Sequence, residues 1–464
     1  MERVGSDGWS SIKAFHDALE SSAARRRDVV EEAIANYESP AGEGRRVFLD
    51  HYPSAARAEA RRLDEWRGRV VGSPLDGVLI SVKDVFDIAG RVTTAGSPAL
   101  AGSPPAKVDS EVVRRLRAAH AIIIGKTNLS EFAYSVTGTN VAFGTPRNPH
   151  RRDIGLLPGG SSSGAAVSVS DRMAQVALGT DTGGSLRVPA ALCGLTGYRP
   201  SIGRVPSRGM FPLSPSSDTI GAIGRCVDDC FRVDGIIADK PTTVRHDRPS
   251  NSYRFVVPRN LLCDDLDEAV ARHFARAVMA VVQSGARVVE RPIRTLADLG
   301  PLHEYGGVTA AEAYRYHSER FGPGLQCIDD SVRARIRLGA RTDDRCLEEL
   351  RRLRQGVIRS FTEELEPFDA LLCPTVAITA PTIESVEPAS SGSQINQRLL
   401  RNTVSITLVG GCAVSIPCQT DDELPVGLMI AAPAGQDGHL LESALFIEHL
   451  IEEHLIERRR RSSL

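Results

Sequence analysis

Between residues 77 and 193, short apolar runs alternate with segments that have the composition and spacing of helices. Short apolar runs predict buried strands, whereas apolar residues at every third or fourth position predict helices. The predicted strands span 77–82, 121–124 and 175–180, and the predicted helices span 109–119, 163–172 and 186–193. This alternation predicts an α/β fold with helices on both faces of a sheet.

Further elements are expected on both sides of this region. Amphipathic helices are predicted over 11–38 and 53–68, and long helices near 265–284, 309–320 and 343–365. Short strands are predicted at 253–257, 369–373, 403–408 and 426–431. The polar segment 385–395 predicts a mobile surface loop.

Residues 177–189, Ala-Leu-Gly-Thr-Asp-Thr-Gly-Gly-Ser-Leu-Arg-Val-Pro, carry the strongest functional signal. An apolar approach turns through Gly183 and Gly184 onto Ser185 and then enters a predicted helix, an arrangement that exposes a hydroxyl nucleophile. Glycines let the backbone approach a substrate closely, and consecutive N–H groups can converge on one oxygen. The same turn can also cradle a phosphate or cap a helix, so this segment alone leaves three interpretations open.

Two upstream segments supply further polar groups. The first, residues 77–84, is an apolar run that ends in Lys83. The chain has 5 lysines beside 51 arginines, and of the two only lysine can give up its proton in a protein and act as a base. The apolar run favours burial of Lys83 over the ordinary surface position of a lysine. The second segment, residues 158–166, reads Pro-Gly-Gly-Ser-Ser-Ser-Gly-Ala-Ala and opens into a predicted helix.

Together the three segments resemble the amidase signature family, in which a lysine after an apolar strand is followed by Gly-Gly-Ser-Ser and then by Asp-Thr-Gly-Gly-Ser-x-Arg-x-Pro. The resemblance covers residues 65–235 well, including Leu-Thr-Gly-Tyr-Arg-Pro at 195–200, and the C-terminal part more weakly through 368–375 and 425–428. Ser163 departs from the family pattern, where glycine is more usual, but touches none of the inferred catalytic atoms.

The resemblance implies a large mixed β-sheet core within a single domain over 1–464. In this organisation, N-terminal helices occupy about 1–70, a catalytic core occupies 71–235, and residues 236–464 complete the sheet and the substrate pocket.

The resemblance also implies a relay of three side chains. Ser185 is the acyl-forming nucleophile, Ser161 a bridging hydroxyl and Lys83 the base. Neutral Lys83 would take a proton from Ser161 while Ser161 takes one from Ser185, and the reverse relay would protonate the leaving nitrogen. The relay requires the pKa of Lys83 to fall from its reference value of about 10.4, which burial would achieve.

Other residues are expected to support this chemistry. The backbone N–H groups of Thr182, Gly183 and Gly184, with that of Ser185, are expected to hold the oxyanion. Two charges that flank the loop, Asp181 and Arg187, either form an ion pair that fixes its shape or are solvated separately.

The substrate pocket is less defined in the sequence. By family position, residues near 133–137, among them Ala133 and Ser135, are expected to line the acyl pocket. Val188 offers no charge to a substrate carboxylate, which disfavours acidic amides at that point.

Two competing assignments stay open. The pattern Gly-x-Ser-x-Gly at 160–164 would make Ser162 the nucleophile of an α/β-hydrolase-type esterase, but the hydrophobic strand that this motif requires does not precede it. Lys126 also follows an apolar run and is an alternative base, although a loop contact is its more ordinary role.

The predicted function is hydrolysis of a linear carboxylic amide to a carboxylate and ammonia or an amine, through an acyl-Ser185 intermediate and without a cofactor. The main alternative uses the same triad as the A-type glutaminase component of a tRNA-dependent amidotransferase, which requires partner subunits. A catalytically inactive scaffold is disfavoured because all three relay residues are present.

Composition and short motifs argue against a metal site, a nucleic-acid surface and a membrane span. The nine cysteines form no C-x-x-C pair and the eleven histidines form no H-E-x-x-H motif, so no metal is expected. A formal net charge of −2 argues against a nucleic-acid surface, and no run of about 20 apolar residues predicts a membrane span. We expect a small-molecule amide as the partner, a cytoplasmic location and a homodimer as the ordinary assembly of an enzyme of this size.

Overall fold

The computed structural model describes residues 9–66, 73–245, 247–297, 299–303, 306–387, 389–420 and 423–462. Its strands are β1 (Phe48–His51), β2 (Leu79–Lys83), β3 (Ile122–Thr127), β4 (Val176–Asp181), β5 (Thr196–Arg199), β6 (Thr219–Gly224), β7 (Arg254–Pro258), β8 (Arg287–Arg291), β9 (Ala370–Pro374), β10 (Cys412–Pro417) and β11 (Gly427–Ala432). Its helices are α1 (Ile12–Glu20), α2 (Arg26–Glu38), α3 (Gly44–Val47), α4 (Pro53–Glu65), α5 (Glu111–Ala118), α6 (Ser163–Ser170), α7 (Arg187–Cys193), α8 (Val227–Ile237), α9 (Glu268–Gln283), α10 (Arg294–Ala297), α11 (Gly300–His303), α12 (Gly307–Phe321), α13 (Asp330–Leu338), α14 (Asp344–Leu365), α15 (Ala389–Leu408) and α16 (Asp437–Ser462).

All these strands belong to one 11-stranded sheet with the order β1-β3-β2-β4-β6-β5-β10-β11-β9-β7-β8. Strand β2 runs parallel to both β3 and β4, and β7 runs parallel to β8 and β9, whereas the remaining neighbours pair antiparallel. The predicted α/β fold with a large mixed sheet is therefore confirmed.

Strand β11 shows how helices cover both faces of the sheet. Its residues Leu428 and Ile430 belong to the main hydrophobic core together with apolar residues of α16. The intervening Met429 and Ala431 belong to a second core together with residues of α14 and α15. Because successive side chains of a strand point to opposite faces, α16 covers one face and α14 and α15 cover the other.

Most predicted elements of the central region form within a few residues of the expected bounds. The short apolar runs that predicted strands are buried along the whole of β2, β3 and β4. Strands β1, β5, β6, β8 and β10 were not predicted. Strand β6, Thr-Ile-Gly-Ala-Ile-Gly, contains two glycines, which weaken an isolated strand, and its extended form depends on pairing with β4 and β5.

The strand predicted at 403–408 is wrong, because these residues form the last turns of α15. Their polar and apolar residues alternate, which is typical of a strand, but here the polar side chains are buried too. The hydroxyls of Ser405 and Thr407 donate to backbone carbonyls four residues earlier, at 2.7 and 3.2 Å, and so are satisfied inside a helix.

Three other predicted elements also differ from the structure. Residues 389–395, part of the segment predicted as a loop, begin α15. The helix predicted over 11–38 is two helices, α1 and α2, separated at Ser22, which adopts a left-handed φ of 62°. The helix predicted over 53–68 ends at Glu65, and residues 67–68 lie outside the described ranges.

No helix in the described ranges has both the length and the apolar character needed to span a bilayer.

Candidate active site

Lys83 is the last residue of β2, which lies between its parallel neighbours β3 and β4. Its side chain is fully buried, and its Nζ lies 2.8 Å from Ser161 Oγ and 2.8 Å from Thr180 Oγ1. Both contacts are hydroxyls, and no carboxylate of the described residues forms an ion pair with this nitrogen. The amine is therefore held by two neutral hydroxyls inside the protein.

Burial lowers the pKa of Lys83 to about 7, because a charged ammonium loses its hydration there. The carboxylates of Asp181 and Asp218 act in the opposite direction at longer range. A substantial fraction of Lys83 is consequently neutral near pH 7 and able to accept a proton.

Ser161 lies at the turn that precedes α6 and is also fully buried. The peptide bond between Gly160 and Ser161 is cis. The Ser161 carbonyl accepts hydrogen bonds from the backbone N–H groups of Ser130 at 3.1 Å and Ser163 at 2.9 Å. These bonds fix the backbone that presents the Ser161 hydroxyl to Lys83.

The loop 182–186 connects the end of β4 to the start of α7 and contains Ser185. A Cβ added at Gly184 would overlap Thr403 Oγ1 on α15, so only glycine fits there without a shift. Among the described residues, the N–H groups of Gly183, Gly184 and Ser185 donate to no protein acceptor. The loop thus holds unused backbone donors beside a serine that is 3 % exposed.

An ion pair between Asp181 and Arg187 anchors both ends of this loop. Arg187 Nη2 and Nε lie 2.9 and 3.0 Å from the two carboxylate oxygens, and both side chains are fully buried. Although burial acts to raise it, the pKa of Asp181 is held below its usual range by Arg187 and Arg199. Of the two possibilities that the sequence left open, the structure has the ion pair.

Arg199 was not singled out as a candidate, although it lies in the Leu-Thr-Gly-Tyr-Arg-Pro segment. Its Nη1 donates to the Asp181 carbonyl at 2.6 Å and to Thr219 Oγ1 at 2.9 Å. Thr180, the second partner of Lys83, was also not predicted, because its position in β4 gives no separate sequence signal.

Ser185 opens onto a cavity of about 290 Å³. Ala133 and Ser135, expected in the acyl pocket, both lie on its wall, whereas Val188 does not. The cavity also contacts α13, α14 and α15, and the side chains that they contribute include Arg335, Leu338, Arg354, Asn396, Leu400 and Val404. The pocket is therefore assembled from segments far apart in sequence.

The second link of the predicted relay is not a formed hydrogen bond in this structure, since Ser161 Oγ and Ser185 Oγ are not within bonding geometry of each other. The two serines are nevertheless neighbours in the fold, because the Ser162 N–H donates to the Ser185 carbonyl at 3.3 Å.

The competing candidates occupy other environments. Ser162 is fully buried, its hydroxyl donates to the Thr180 carbonyl at 3.4 Å, and it is not on the cavity wall. Lys126 Nζ lies 2.5 Å from Asp84 Oδ1 and donates to the Val92 carbonyl at 2.9 Å. Its partners among the described residues include neither Ser161 nor Ser185, so Lys126 does not contact the predicted relay.

No group of three or more His, Cys, Asp or Glu side chains within the described ranges is arranged to hold a metal ion.

The chain is similar in sequence and in structure to known amidases and related enzymes. A family model described as Amidase matches residues 28–441. The chain is 35% identical over 412 residues to a 2-amino-5-chloromuconic acid deaminase of Comamonas testosteroni, covering 86% of each chain. It is 34% identical to the A-type subunit of the glutamyl-tRNA(Gln) amidotransferase of Symbiobacterium thermophilum, covering 91% of this chain and 92% of that one. A solved amidase crystal structure superposes with a TM-score of 0.84 at 28% identity, covering 95% of this chain and 99% of the other.

Proposed function

Because this chain belongs to the amidase signature family of amide hydrolases, we propose that it hydrolyses a linear carboxylic amide through an acyl-Ser185 intermediate. The observation that carries the proposal is the contact of 2.8 Å between Lys83 Nζ and Ser161 Oγ, in a buried site where the pKa of the lysine falls to about 7.

The proposed reaction starts with neutral Lys83. Lys83 accepts the proton of Ser161, Ser161 accepts the proton of Ser185, and Ser185 Oγ forms a bond to the amide carbonyl carbon. The N–H groups of Thr182, Gly183 and Gly184, together with that of Ser185, stabilise the resulting oxyanion.

Collapse of this intermediate breaks the C–N bond. The proton returns from Lys83 through Ser161 to the leaving nitrogen, so that ammonia or an amine departs rather than an amide anion. Water then adds to the acyl-Ser185 ester by the same relay. The products are a carboxylate, ammonia or an amine, and the regenerated serine.

The second candidate is a glutaminase that feeds ammonia to another site within a larger complex. It is favoured by the 34% identity to the A-type component of the amidotransferase and by the similar length of the two chains.

The test is ammonia release by the purified chain alone, on aliphatic and aromatic amides and on glutamine. Ser185→Ala should abolish turnover, whereas Ser162→Ala, a change at the neighbouring buried serine, should leave the folded enzyme active. Turnover of simple amides without a partner supports the stand-alone amidase. Activity on glutamine that appears only with partner subunits would support the glutaminase instead.

We further propose that the chain is a single domain that acts in the cytoplasm on a small-molecule substrate, needs no cofactor and forms a homodimer. Size-exclusion chromatography with light scattering tests the last of these points.

A further inference from the structure

Arg335 lies on the wall of the Ser185 cavity. It is part of α13, and its Nη1 donates to the Tyr134 carbonyl at 3.1 Å. Within the described ranges, Arg335 forms no ion pair with any Asp or Glu. A partly buried guanidinium without a counter-ion is costly, so the cavity favours an anion beside it.

The second arginine of the cavity is already satisfied. Arg354 donates to the carbonyls of Ser216 and Thr407, both at 3.0 Å, and to Ser217 Oγ at 2.9 Å. Its bonds tie α14 to neighbouring loops and α15. Arg335 therefore has the donors that remain available to a ligand.

The surroundings of Arg335 contain few opposing charges. No Asp or Glu among the described residues lines the cavity, and His303, which also lines it, has a pKa lowered by burial. Asp329 is the carboxylate that acts on Arg335 at longer range, but its side chain accepts the N–H groups of Ser331 and Val332 at the start of α13. The described wall of the cavity thus carries positive charge.

We propose that Arg335 binds a carboxylate of the substrate, so that the preferred substrates are amides of dicarboxylic acids in which one end is amide and the other is free acid. The proposal rests on the proposed amide hydrolysis and names its substrate class. Val188 offers no charge to a substrate carboxylate, but Arg335 of α13 places a positive charge on the cavity wall.

The test compares the amides of malonate, succinate, glutarate and adipate with neutral amides of equal chain length, such as pentanamide for glutaramate. In the wild type, kcat/KM should be higher for at least one anionic amide than for its neutral partner. Arg335→Gln should reduce this ratio roughly tenfold to hundredfold, the range expected when a hydrogen-bonded charge is lost.

Two variants separate charge recognition from a structural role. Arg335→Lys keeps the positive charge and should recover part of the ratio. Arg337→Gln changes an exposed arginine two residues further along α13 and should leave the ratio unchanged. A ratio that is the same in Arg335→Gln as in the wild type, or a wild type that does not distinguish anionic from neutral amides, would overturn the proposal.

Calorimetric binding of the same four anionic amides to Ser185→Ala distinguishes failure of this inference from failure of the proposed function. Binding that is lost on adding Arg335→Gln supports the carboxylate site even if no amide is turned over. Absence of any binding dependent on Arg335 rejects the site, while Ser185-dependent turnover of neutral amides would leave amide hydrolysis standing.

Discussion

Asp181 and Arg187 form a two-point ion pair, at 2.9 and 3.0 Å, that is completely buried beneath the Ser185 loop. Asp181 Oδ2 also accepts the Leu186 N–H at 3.2 Å, so one carboxylate joins the end of β4 to the start of α7. The shape of the loop therefore depends on a charge pair that has no access to water.

Asp181→Asn should destabilise the fold by about 3–5 kcal/mol, because it leaves the buried Arg187 charge unpaired. Urea denaturation followed by circular dichroism measures this change. Asp17→Asn is the matched control, since it breaks an exposed pair with Lys13 on α1 and should change stability little. Equal stability of Asp181→Asn and the wild type would show that the pair does not hold the loop.

Activity should rise with pH and reach half its maximum near pH 7, because Lys83 has to lose its proton before it can act as a base. The measurement is kcat/KM from pH 5 to 9 on a neutral amide. Lys83→Met should abolish activity at every pH in this range.

Asp218→Asn should move the same midpoint to lower pH, since the Asp218 carboxylate favours the charged form of Lys83. A flat profile in the wild type, or a midpoint that Asp218→Asn moves upward, would contradict a titrating lysine.

Gly184→Ala should lower kcat at least a hundredfold, since the new Cβ overlaps Thr403 Oγ1 and forces the N–H groups of the loop out of position. Gly356→Ala on α14 is the control, because nothing lies within 4 Å of the added carbon. If Gly184→Ala is folded and retains wild-type turnover, the loop conformation does not control the reaction.

Lys126→Met should destabilise the protein by leaving Asp84 buried without its partner, while the folded enzyme keeps the wild-type pH profile. The double variant Asp84→Asn/Lys126→Met should recover part of the stability. Thermal unfolding and the pH profile together distinguish this structural role from that of a base, since a base at Lys126 would make turnover disappear.

The sequence was sufficient for the parts of the molecule in which local pattern and structure agree. Apolar runs located β2, β3 and β4, and the motifs located the loop and the contact between Lys83 and Ser161. It was insufficient where tertiary packing decides. Residues 403–408 alternate between polar and apolar as a strand would, but they form a helix in which the polar side chains are buried as well. Arg335 reaches the cavity from a segment about 150 residues beyond Ser185. Neither effect leaves a local signal.

The free energy of unfolding should fall as the pH rises from about 4.5 to about 8, because of the titration of Glu448 on α16. Its carboxyl group accepts the Val227 N–H at the start of α8 at 2.9 Å, and burial raises its pKa to about 8. In the unfolded chain the group ionises near its ordinary value of 4.5, so the folded protein binds one more proton between these two values. Raising the pH across this window therefore favours unfolding by roughly a few kcal/mol.

Free energies of unfolding of the wild type and Glu448→Gln from pH 4 to 9 measure the effect, because the glutamine variant lacks this titration. Glu20→Gln, at an exposed position on α1, should keep the wild-type dependence, and a Glu448→Gln curve parallel to that of the wild type would contradict the assignment.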